Sequence, residues 1–369
     1  MTTAQSGSIA MPLFDRFPRL REALPRVELG EWPTPVHNAP RFANAHGLKS
    51  LHIKREDKSH PLCGGNKVRG LEFLLAEARS RDIRTLVTFS SAGSHHISRT
   101  AFHARRFNIG VVAVIVDQPP TEYLQANLGV GITAAAEYIP ASYLTVLVKT
   151  LGQVLRNASG ERSPCLYVAP GGTSPLTCIG HVNAAMELRD QVDAGILPMP
   201  DYIYVPLGSL GTAAGLALGC KLAGIHAHIV GVTNSYRLYC TRGRLLRLAN
   251  RTIRLLHRHD PTVPHVHPTR SDVSVFHHAL GEGYAKPTES GRRLIQEMLD
   301  LECVRLDGTY TSKTLDGALQ FIELHGTHDR HHLFWHTFDT LPLSNPWPEQ
   351  IPPALRRYFI SRQDKSAPG

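Results

Sequence analysis

The 369-residue sequence contains no apolar run that approaches the roughly 18 residues needed to cross a membrane as a helix. Its first residues also lack the basic start and the long apolar stretch of a secretory signal. Its 6 cysteines include no C-x-x-C pair, which argues against a disulfide scaffold and against a zinc site. We therefore expect a cytoplasmic, globular protein with reduced cysteines, as its 42% hydrophobic and 19% charged residues also indicate.

Sequence patterns for nucleic-acid binding are missing too, although the formal net charge is +9. The basic excess is concentrated in Tyr236 to His259, where arginines alternate with apolar residues at helical spacing. We interpret this stretch as an amphipathic helix with a solvated basic face, because no zinc-finger, RRM or KH pattern supports a nucleic-acid partner. Histidines at 257–267 and 328–332 lie in polar stretches without metal-site spacing, so we interpret them as solvated loop residues and expect no metal.

The chain does contain apolar strand patterns that alternate with helical patterns. This order is typical of α/β proteins, in which helices cover parallel sheets. A second such series follows the first, so we expect two α/β units with a ligand cleft between them. The predicted strands are Leu51–Lys54, Thr85–Phe89, Gly110–Val116, Tyr202–Pro206 and His228–Val232, and the predicted helices are Val68–Arg79, Ser98–Phe107 and Gly211–Ala223.

A lysine follows a glycine pair at the start of a predicted helix, in the segment Gly64-Gly65-Asn66-Lys67. Glycines allow close approach of the backbone to a bound group, and a helix start offers N–H donors with a partial positive charge. Such a position suits a lysine that reacts through its uncharged amine. A surface lysine that opens a helix is the alternative interpretation.

A glycine-rich turn, Gly208 to Gly215, connects a predicted strand to a predicted apolar helix. Its successive N–H groups, with the hydroxyls of Ser209 and Thr212, suit a phosphate. The turn ends without the Gly-Lys-Ser/Thr of a Walker A loop and lacks the G-x-G-x-x-G spacing, so alone it fits a plain tight turn equally well. Combined with Lys67, the amine and the phosphate cradle match the needs of pyridoxal phosphate.

The sequence resembles the pyridoxal-phosphate-dependent family of 1-aminocyclopropane-1-carboxylate deaminase and D-cysteine desulfhydrase. The resemblance extends from about Phe17 to about Pro342. The matching segments are 31–35, 53–57, 64–69, 93–96, 208–215, 281–288, 310–313 and 334–337.

The resemblance implies the tryptophan-synthase-β-like fold (fold type II), with two open, mostly parallel sheets and the cofactor in the interdomain cleft. It implies a larger cofactor-binding domain of residues 1–70 and 185–369, with a smaller α/β domain of residues 71–184 inserted. A homodimer that acts on a small amino acid is also implied.

The same resemblance implies the roles of individual residues. Lys67 is the Schiff-base lysine, and Asn66 also contacts the cofactor. Ser94 lies near the substrate carboxylate or the reacting carbon, although it could equally cap the following helix. Thr311 is the partner of the pyridine nitrogen, where a hydroxyl suits elimination. The phosphate is held by Gly208, Ser209, Leu210, Gly211 and Thr212.

Tyr284 and Tyr310 match family tyrosines that line the active site. A phenol donates a proton to a carbanion or leaving group, and it also stacks on a pyridine ring. The alternative is a pair of ordinary, half-buried tyrosines.

Three departures from the family pattern fall near the cofactor. His95 replaces an asparagine that donates to the ring oxygen, and Gly70 replaces a lysine. Phe338-Asp339 replaces a glycine pair. These changes concern the substrate more than the attachment of the cofactor.

We predict a lyase or deaminase that performs α,β-elimination on a cysteine-like amino acid, yielding a 2-oxo acid and ammonia. The alternatives are ring-opening deamination of 1-aminocyclopropane-1-carboxylate, an unassigned amino-acid substrate, and a divergent cofactor-binding protein without turnover.

Overall fold

The computed structural model describes residues 11–119, 121–159, 164–235, 237–339 and 351–359. Strands in these ranges are β1 Val36–Asn38, β2 Ser50–Arg55, β3 Thr85–Ser91, β4 Gly110–Val116, β5 Glu137–Ala141, β6 Cys165–Val168, β7 Tyr202–Leu207, β8 His228–Thr233, β9 Val273–Phe276 and β10 His331–His336. The α-helices are α1 Pro12–Arg16, α2 Arg19–Ala23, α3 Pro40–Ala45, α4 Lys67–Ser80, α5 His95–Arg105, α6 Glu122–Thr133, α7 Val146–Ser159, α8 Pro175–Asp193, α9 Gly211–Ala223, α10 Arg242–His259, α11 Glu289–Glu302 and α12 Thr311–His325. Short 3-10 helices lie at Glu56–Lys58, Pro170–Gly172 and Pro353–Tyr358.

The alternation of strands and helices predicted from the apolar runs is confirmed. Strand β4 and helix α9 have the predicted bounds, and the other predicted elements are displaced by one to three residues at an end. Helix α10 buries Leu245, Ala249 and Ile253 on one face, as its amphipathic pattern predicts. Its predicted first residue, Tyr236, lies outside the described residues, and the helix begins at Arg242. Within the described ranges, none of the helices has both the length and the apolar character needed to cross a membrane.

The prediction of loop histidines was wrong in part, because His257 and His259 lie in α10 and His331 and His332 lie in β10. His332 was interpreted as a solvated loop residue, but it lies in β10 and is buried. Its Nε2 atom is 2.9 Å from the carbonyl oxygen of Thr327, and its Nδ1 atom is 3.1 Å from the hydroxyl of Tyr204. Burial lowers the pKa of His332 to about 4, so this histidine stays neutral inside the sheet.

The chain divides into two compact units, a first unit of Met1–Leu74 with Ser174–Thr340 and a second unit of Leu75–Thr173 with Leu341–Gly369. The larger domain predicted from the sequence includes all residues from 185 onward. The described segment 351–359 instead packs in the second unit, because Leu355 and Tyr358 belong to its apolar core. The hydroxyl of Tyr358 also donates to the carboxylate of Asp117 there.

The first unit contains a six-stranded sheet in the order β1-β2-β10-β7-β8-β9. Only the β1–β2 pair is antiparallel, and the other four neighbouring pairs are parallel. Alternate residues of β7 enter two different cores: Ile203 and Val205 pack with α8, α9 and α10, whereas Tyr204 packs with α3, α11 and α12. Because neighbouring side chains of a strand point to opposite faces, helices cover this sheet on both sides.

The second unit contains a four-stranded parallel sheet in the order β5-β4-β3-β6. The strand β4 is the continuous apolar run GVVAVIV, as expected for a strand covered on both faces. Ala113 and Ile115 pack with α5 and α6, and Val114 and Val116 pack with Val146 of α7.

Helices α4, α8 and α9 of the first unit approach one another through glycines. A Cβ atom on Gly180 of α8 would lie 2.3 Å from the carbonyl oxygen of Arg69 in α4. A Cβ atom on Gly215 of α9 would lie 2.7 Å from the carbonyl oxygen of Cys178 in α8. Backbone atoms cannot yield as a flexible side chain can, so these positions set the spacing of the three helices.

A buried ion network fixes the beginning of α4. Nε and Nη2 of Arg69 donate to the carboxylate of Glu56 at 2.6 and 2.8 Å. Nη1 and Nη2 also donate to Glu187 of α8, both at 3.0 Å, and Lys54 of β2 donates to the same carboxylate. Arg69, Lys54, Glu56 and Glu187 are all buried. The first turn of α4 is therefore tied to strand β2 and to helix α8.

Charge neutralisation governs this network. Burial alone would raise the pKa of Glu187, but the charges and hydrogen bonds of Arg69 and Lys54 outweigh it and hold the pKa at about 2. The two carboxylates in turn raise the pKa of Arg69, so its guanidinium stays charged inside the protein.

We expect Gly180→Ala to destabilise the protein by about 1–3 kcal/mol, because the added methyl group overpacks the α4–α8 contact. A matched control is Gly243→Ala in α10, where an added Cβ atom meets no atom within 4 Å. The control should change the unfolding free energy by about 1 kcal/mol or less. Urea denaturation followed by tryptophan fluorescence measures both values, and equal effects would contradict the close-approach argument.

We expect Arg69→Met to destabilise the protein by about 3–5 kcal/mol, because Glu56 would lose its guanidinium partner and Glu187 would keep only the cation of Lys54. Arg81→Met is the control, since Arg81 pairs with Glu77 on the exposed surface of α4 at 3.0 Å. Removing that pair should cost about 0–1 kcal/mol. The same denaturation assay measures both variants.

The network also gives a pH signature. The folded-state pKa of Glu187 is about 2, below its ordinary value of 4.5. The charge of Glu187 therefore makes its full contribution to the unfolding free energy above pH 4.5, and this contribution is lost as the pH falls toward 2. Glu187→Gln should lack this component. A difference between wild type and Glu187→Gln that does not change over this pH range would contradict the charged network.

Candidate active site

The reactive-lysine segment lies where β2 ends, at the carboxyl edge of the first unit's sheet. Gly65 has φ +103°, and a Cβ atom there would lie 2.9 Å from the carbonyl oxygen of Phe338. The hydroxyl of buried Ser59 accepts from the N–H of Gly65 at 2.9 Å and lies 3.1 Å from its carbonyl oxygen. The chain therefore reaches Lys67, the first residue of α4, in a fixed conformation.

The environment of Lys67 favours the uncharged form of its amine. Burial lowers the pKa of Lys67 to about 8, and the neighbouring Cys178 acts in the opposite direction. Its Nζ atom is 3.4 Å from the hydroxyl of Ser209. Lys67 and the glycine-rich turn are therefore adjacent, although 142 residues separate Lys67 from Ser209 along the chain.

The glycine-rich turn continues directly from β7 into α9. Leu210 precedes the helix with φ +72°, a left-handed conformation that is rare for residues other than glycine. Among the described residues, and apart from its chain neighbours, a Cβ atom on Gly208 would have one neighbour within 4 Å, Cε1 of Tyr310, so the described part of the turn has open space beside it. The thiol of Cys240 donates to the carbonyl oxygen of Leu207 at 3.1 Å and holds the turn from behind.

The hydroxyl of Thr212 links this turn to the lysine segment. It accepts from Nδ2 of Asn66 at 2.7 Å, and it lies 3.4 Å from Nε2 of His181 in α8. Burial lowers the pKa of His181 well below its ordinary value, and the positive charges of Arg69 and Lys67 add to this effect. Neutral His181 thus lies behind the turn, and its buried Nδ1 atom has no hydrogen-bond partner among the described residues.

The two predicted tyrosines contact each other. Their hydroxyl oxygens are 2.5 Å apart, and the rings meet edge to face with centroids 5.9 Å apart. Burial raises the pKa of Tyr310 well above its ordinary value, and Tyr284 adds to this effect. Tyr310 therefore keeps its phenolic proton throughout the neutral pH range and can act as a proton donor.

Thr311 is the buried first residue of α12, and its hydroxyl is engaged by Asp307. It donates to Oδ1 of Asp307 at 2.7 Å and accepts from the N–H of Asp307 at 2.7 Å. The Asp307 carboxylate also accepts from the N–H groups of Thr309, Tyr310 and Thr311 at 2.8–2.9 Å. The structure thus directs the Thr311 proton to Asp307, and its contact with a pyridine nitrogen stays a prediction.

Ser94 and His95 belong to the second unit, at the start of α5. Ser94 occupies the N-cap position, but its side chain makes no capping hydrogen bond. The backbone of Gly93 is held on both sides, by Oε1 of Gln118 at its N–H and by Nδ2 of Asn127 at its carbonyl oxygen, each at 3.1 Å. The roles of Ser94 and His95 toward the cofactor and substrate stay predictions.

The structure gives a packing reason for Gly70 and shows where Phe338 and Asp339 lie, which accounts for two of the departures from the family pattern. A Cβ atom on Gly70 would lie 3.0 Å from Cβ of Thr177, so the glycine serves the packing of α4 against α8. Phe338 and Asp339 are buried, and Cβ of Asp339 would lie 3.6 Å from a Cβ atom on Gly65. The acidic residue therefore lies beside the segment that carries Lys67.

The first unit thus brings most of the predicted site residues into one connected set. It links Lys67 to Ser209, Asn66 to Thr212, and Gly208 to Tyr310. Sequence reasoning missed His181, which has no motif of its own, and Asp307. The position of Asp307 four residues before Thr311 is a helix-start signal that could have indicated it.

These residues fit pyridoxal phosphate. A phosphate group fits the turn because the first N–H groups of α9 have no acceptor within the helix and the side of Gly208 is open. An amine with lowered pKa lies beside that turn.

Comparisons with known proteins agree with this fit. The family described as "Pyridoxal-phosphate dependent enzyme" matches residues 27–337. The nocardicin C-9' epimerase of Nocardia uniformis subsp. tsuyamanensis is 30% identical over 91% of this chain and 99% of the relative. A D-cysteine desulfhydrase of Klebsiella pneumoniae (strain 342) is 29% identical over 81% of this chain and 88% of the relative.

A solved structure described as an ACC deaminase homologue has a TM-score of 0.75 and 26% identity, and the alignment covers 89% of this chain and 94% of that chain. The fold is thus the fold type II arrangement of two mostly parallel sheets with covering helices, as the resemblance predicted. The chain belongs to the family of pyridoxal-phosphate-dependent enzymes, and its cofactor is pyridoxal phosphate.

Proposed function

We propose that this enzyme catalyses α,β-elimination on a cysteine-like amino acid, in which the α-proton and the thiol leave and water then converts the product to a 2-oxo acid and ammonia. One observation carries the proposal: Tyr310, a phenol that retains its proton, contacts Tyr284 beside the turn that adjoins Lys67. A thiol leaves as an anion, and a buried phenol that keeps its proton can donate a hydrogen bond to that departing group. The similarity to a protein named D-cysteine desulfhydrase supports the same reaction class.

Each residue of the set has a proposed task. Lys67 is the amine to which the cofactor attaches, and after release it takes the α-proton of the substrate. The N–H groups and hydroxyls of residues 208–212 hold the phosphate, and Asn66 orients the hydroxyl of Thr212. When bound, pyridoxal phosphate withdraws electrons from the α-carbon of an attached amino acid. Thr311 is proposed at the ring nitrogen.

Two further residues, on the second unit, have proposed tasks from the sequence pattern. Ser94 is proposed near the substrate carboxylate or the reacting carbon, and the absence of a capping bond from its side chain supports a role other than helix capping. His95 is proposed to donate to the ring oxygen of the cofactor in place of the family's asparagine. We also propose the first unit as the cofactor-binding domain. A cytoplasmic location stays a prediction.

A second candidate reaction is epimerisation at the α-carbon. The similarity to the nocardicin C-9' epimerase, which extends over 99% of that relative, favours it. Epimerisation shares the removal of the α-proton by Lys67 and differs in the next step, because a proton returns to the α-carbon instead of a leaving group departing. Ring-opening deamination of 1-aminocyclopropane-1-carboxylate would instead break a ring bond, and a protein without turnover would bind the cofactor and form no product.

We expect purified protein to be yellow and borohydride to fix the cofactor on Lys67, as peptide mass spectrometry would show. In a panel of L- and D-amino acids, one cysteine enantiomer should yield pyruvate, ammonia and sulfide. Lys67→Ala should lower this turnover by about 100-fold or more, because the α-proton base is lost. Lys49→Ala, at an exposed lysine, is the control and should keep full activity.

The outcomes separate the candidates. A colourless protein that takes up no pyridoxal phosphate would contradict the cofactor site in this chain. Interconversion of enantiomers on a chiral column, without pyruvate from either cysteine, would replace elimination by epimerisation. Colour without change in any amino acid would indicate a binding protein.

We also propose that the enzyme is a homodimer, and helix α7 of the second unit offers a surface for it. Leu147, Val148, Leu151 and Leu155 of α7, with Leu144 just before the helix, follow helical spacing along one side and are 58–92% exposed. Together they form an exposed apolar patch of the kind that marks an interaction surface. A second copy fits this patch because a two-fold interface places the same surface of both subunits together. A standard interface needs about 800 Å² from each partner, and the apolar patch would form its centre.

We expect light scattering coupled to size-exclusion chromatography to give a dimer for wild type and a monomer for the double variant Leu147→Glu/Leu151→Glu. The buried charges would have no partner in the interface. Leu324→Glu is the matched control, because Leu324 is an equally exposed apolar residue at 69% on α12. A dimer that survives the double variant, or a monomeric wild type, would show that the α7 surface does not join two copies.

A further inference from the structure

Lys313 is a fully buried lysine of α12 whose amine does not reach a carboxylate within ion-pair distance in the described residues. Its Nζ atom instead donates to two carbonyl oxygens, those of Leu280 and Gly283, at 2.7 and 2.8 Å. Burying an ammonium group is costly unless it is well hydrogen-bonded. The two short bonds therefore offset part of that cost, and they bind one particular loop.

This loop, residues 277–288, has an irregular backbone between β9 and α11. Gly281, Gly283 and Ala285 all have positive φ, at +63°, +141° and +58°. The backbone–backbone bond within this stretch, from the N–H of Lys286 to the carbonyl oxygen of Gly283, is long at 3.4 Å. The Lys313 amine thus supplies two short hydrogen bonds to the middle of this loop.

The loop carries Tyr284, next to the carbonyl that Lys313 binds. Tyr310 lies immediately before α12, three residues ahead of Lys313, and its hydroxyl is 2.5 Å from that of Tyr284. The start of α12 therefore positions both the phenol of Tyr310 and the amine of Lys313. That amine binds the backbone next to Tyr284. Asp307 lies close enough for its charge to favour the protonated form of Lys313.

We propose that Lys313 is a positioning residue that places the phenol of Tyr284 against Tyr310 by binding the carbonyl oxygens of Leu280 and Gly283. Its consequence for turnover rests on the proposed function, whereas its effect on the loop does not. Burial lowers the pKa of Lys313 to about 8, which agrees with an amine enclosed by protein. A purely structural lysine would stabilise the protein without a specific relation to Tyr284.

The first test is hydrogen–deuterium exchange of the holoenzyme, followed by mass spectrometry. Lys313→Met removes the donors and keeps the length of the side chain, so amide exchange should increase in peptides covering 278–287 and stay unchanged in β7 and α9. Lys54→Met is the matched control, because Lys54 is also fully buried but lies in the Arg69 network. Unchanged exchange in the loop of Lys313→Met would overturn the proposal.

The second test is a double-mutant cycle in turnover. Lys313→Met should lower kcat by roughly 10- to 100-fold, the scale expected when a reacting group is misplaced. In a Tyr284→Phe background it should lower kcat by no more than about twofold, because the positioned group is already absent. Effects that multiply in full would show that Lys313 does not act through Tyr284.

A further variant and the wild type complete the design. Lys313→Gln keeps an N–H donor, so its loop exchange and kcat should fall between those of wild type and Lys313→Met. If Lys313→Met does not fold, Lys313→Gln is used in its place. In that case, amide exchange of the Lys313→Gln loop at the rate of an unprotected peptide would count against the proposal. Wild type that turns over no amino acid would contradict the proposed function alone, since the exchange experiment still decides the role of Lys313.

Discussion

The ion network centred on Arg69 is the constraint on which the site depends. Arg69 is the third residue of α4 and Lys67 is the first, so fixing the guanidinium between Glu56 and Glu187 also fixes the backbone that carries the reactive amine. A charged network is suited to this task because its bonds are directional and define one geometry, whereas apolar packing tolerates small shifts. The same helix start thus combines a structural arginine and a lysine of lowered pKa, two residues apart.

Close helix packing extends this constraint to the glycine-rich turn. Glycines let α8 approach both α4 and α9. The lysine segment at the start of α4 and the glycine-rich turn before α9 are therefore both positioned by packing against α8. Gly70 belongs to this contact. The glycine at this position, where the family pattern has a lysine, is therefore explained by packing.

The sequence predicts the elements of this fold well because their signals are local. The apolar run of β4 and the glycine that opens α9 define their own ends. Lys67 and the turn at 208–212 were also recognisable, each from a few neighbouring residues. His181 and Lys313 were not, because their importance comes from partners 30 or more residues away. The buried position of His332 depends in the same way on Tyr204, 128 residues earlier.

The lowered pKa of Lys67 has a consequence for selectivity among competing amines. With a pKa of about 8, roughly one fifth of the Lys67 amines are uncharged at pH 7.4, whereas an ordinary lysine has roughly one in a thousand in that state. An aldehyde that meets this protein in its cofactor-free form therefore reacts more readily with Lys67 than with an ordinary exposed lysine, whereas Lys313, whose pKa is also about 8, has its amine bound to two carbonyl oxygens. Enclosure of a single side chain is enough to direct a reagent that by itself does not distinguish one lysine from another.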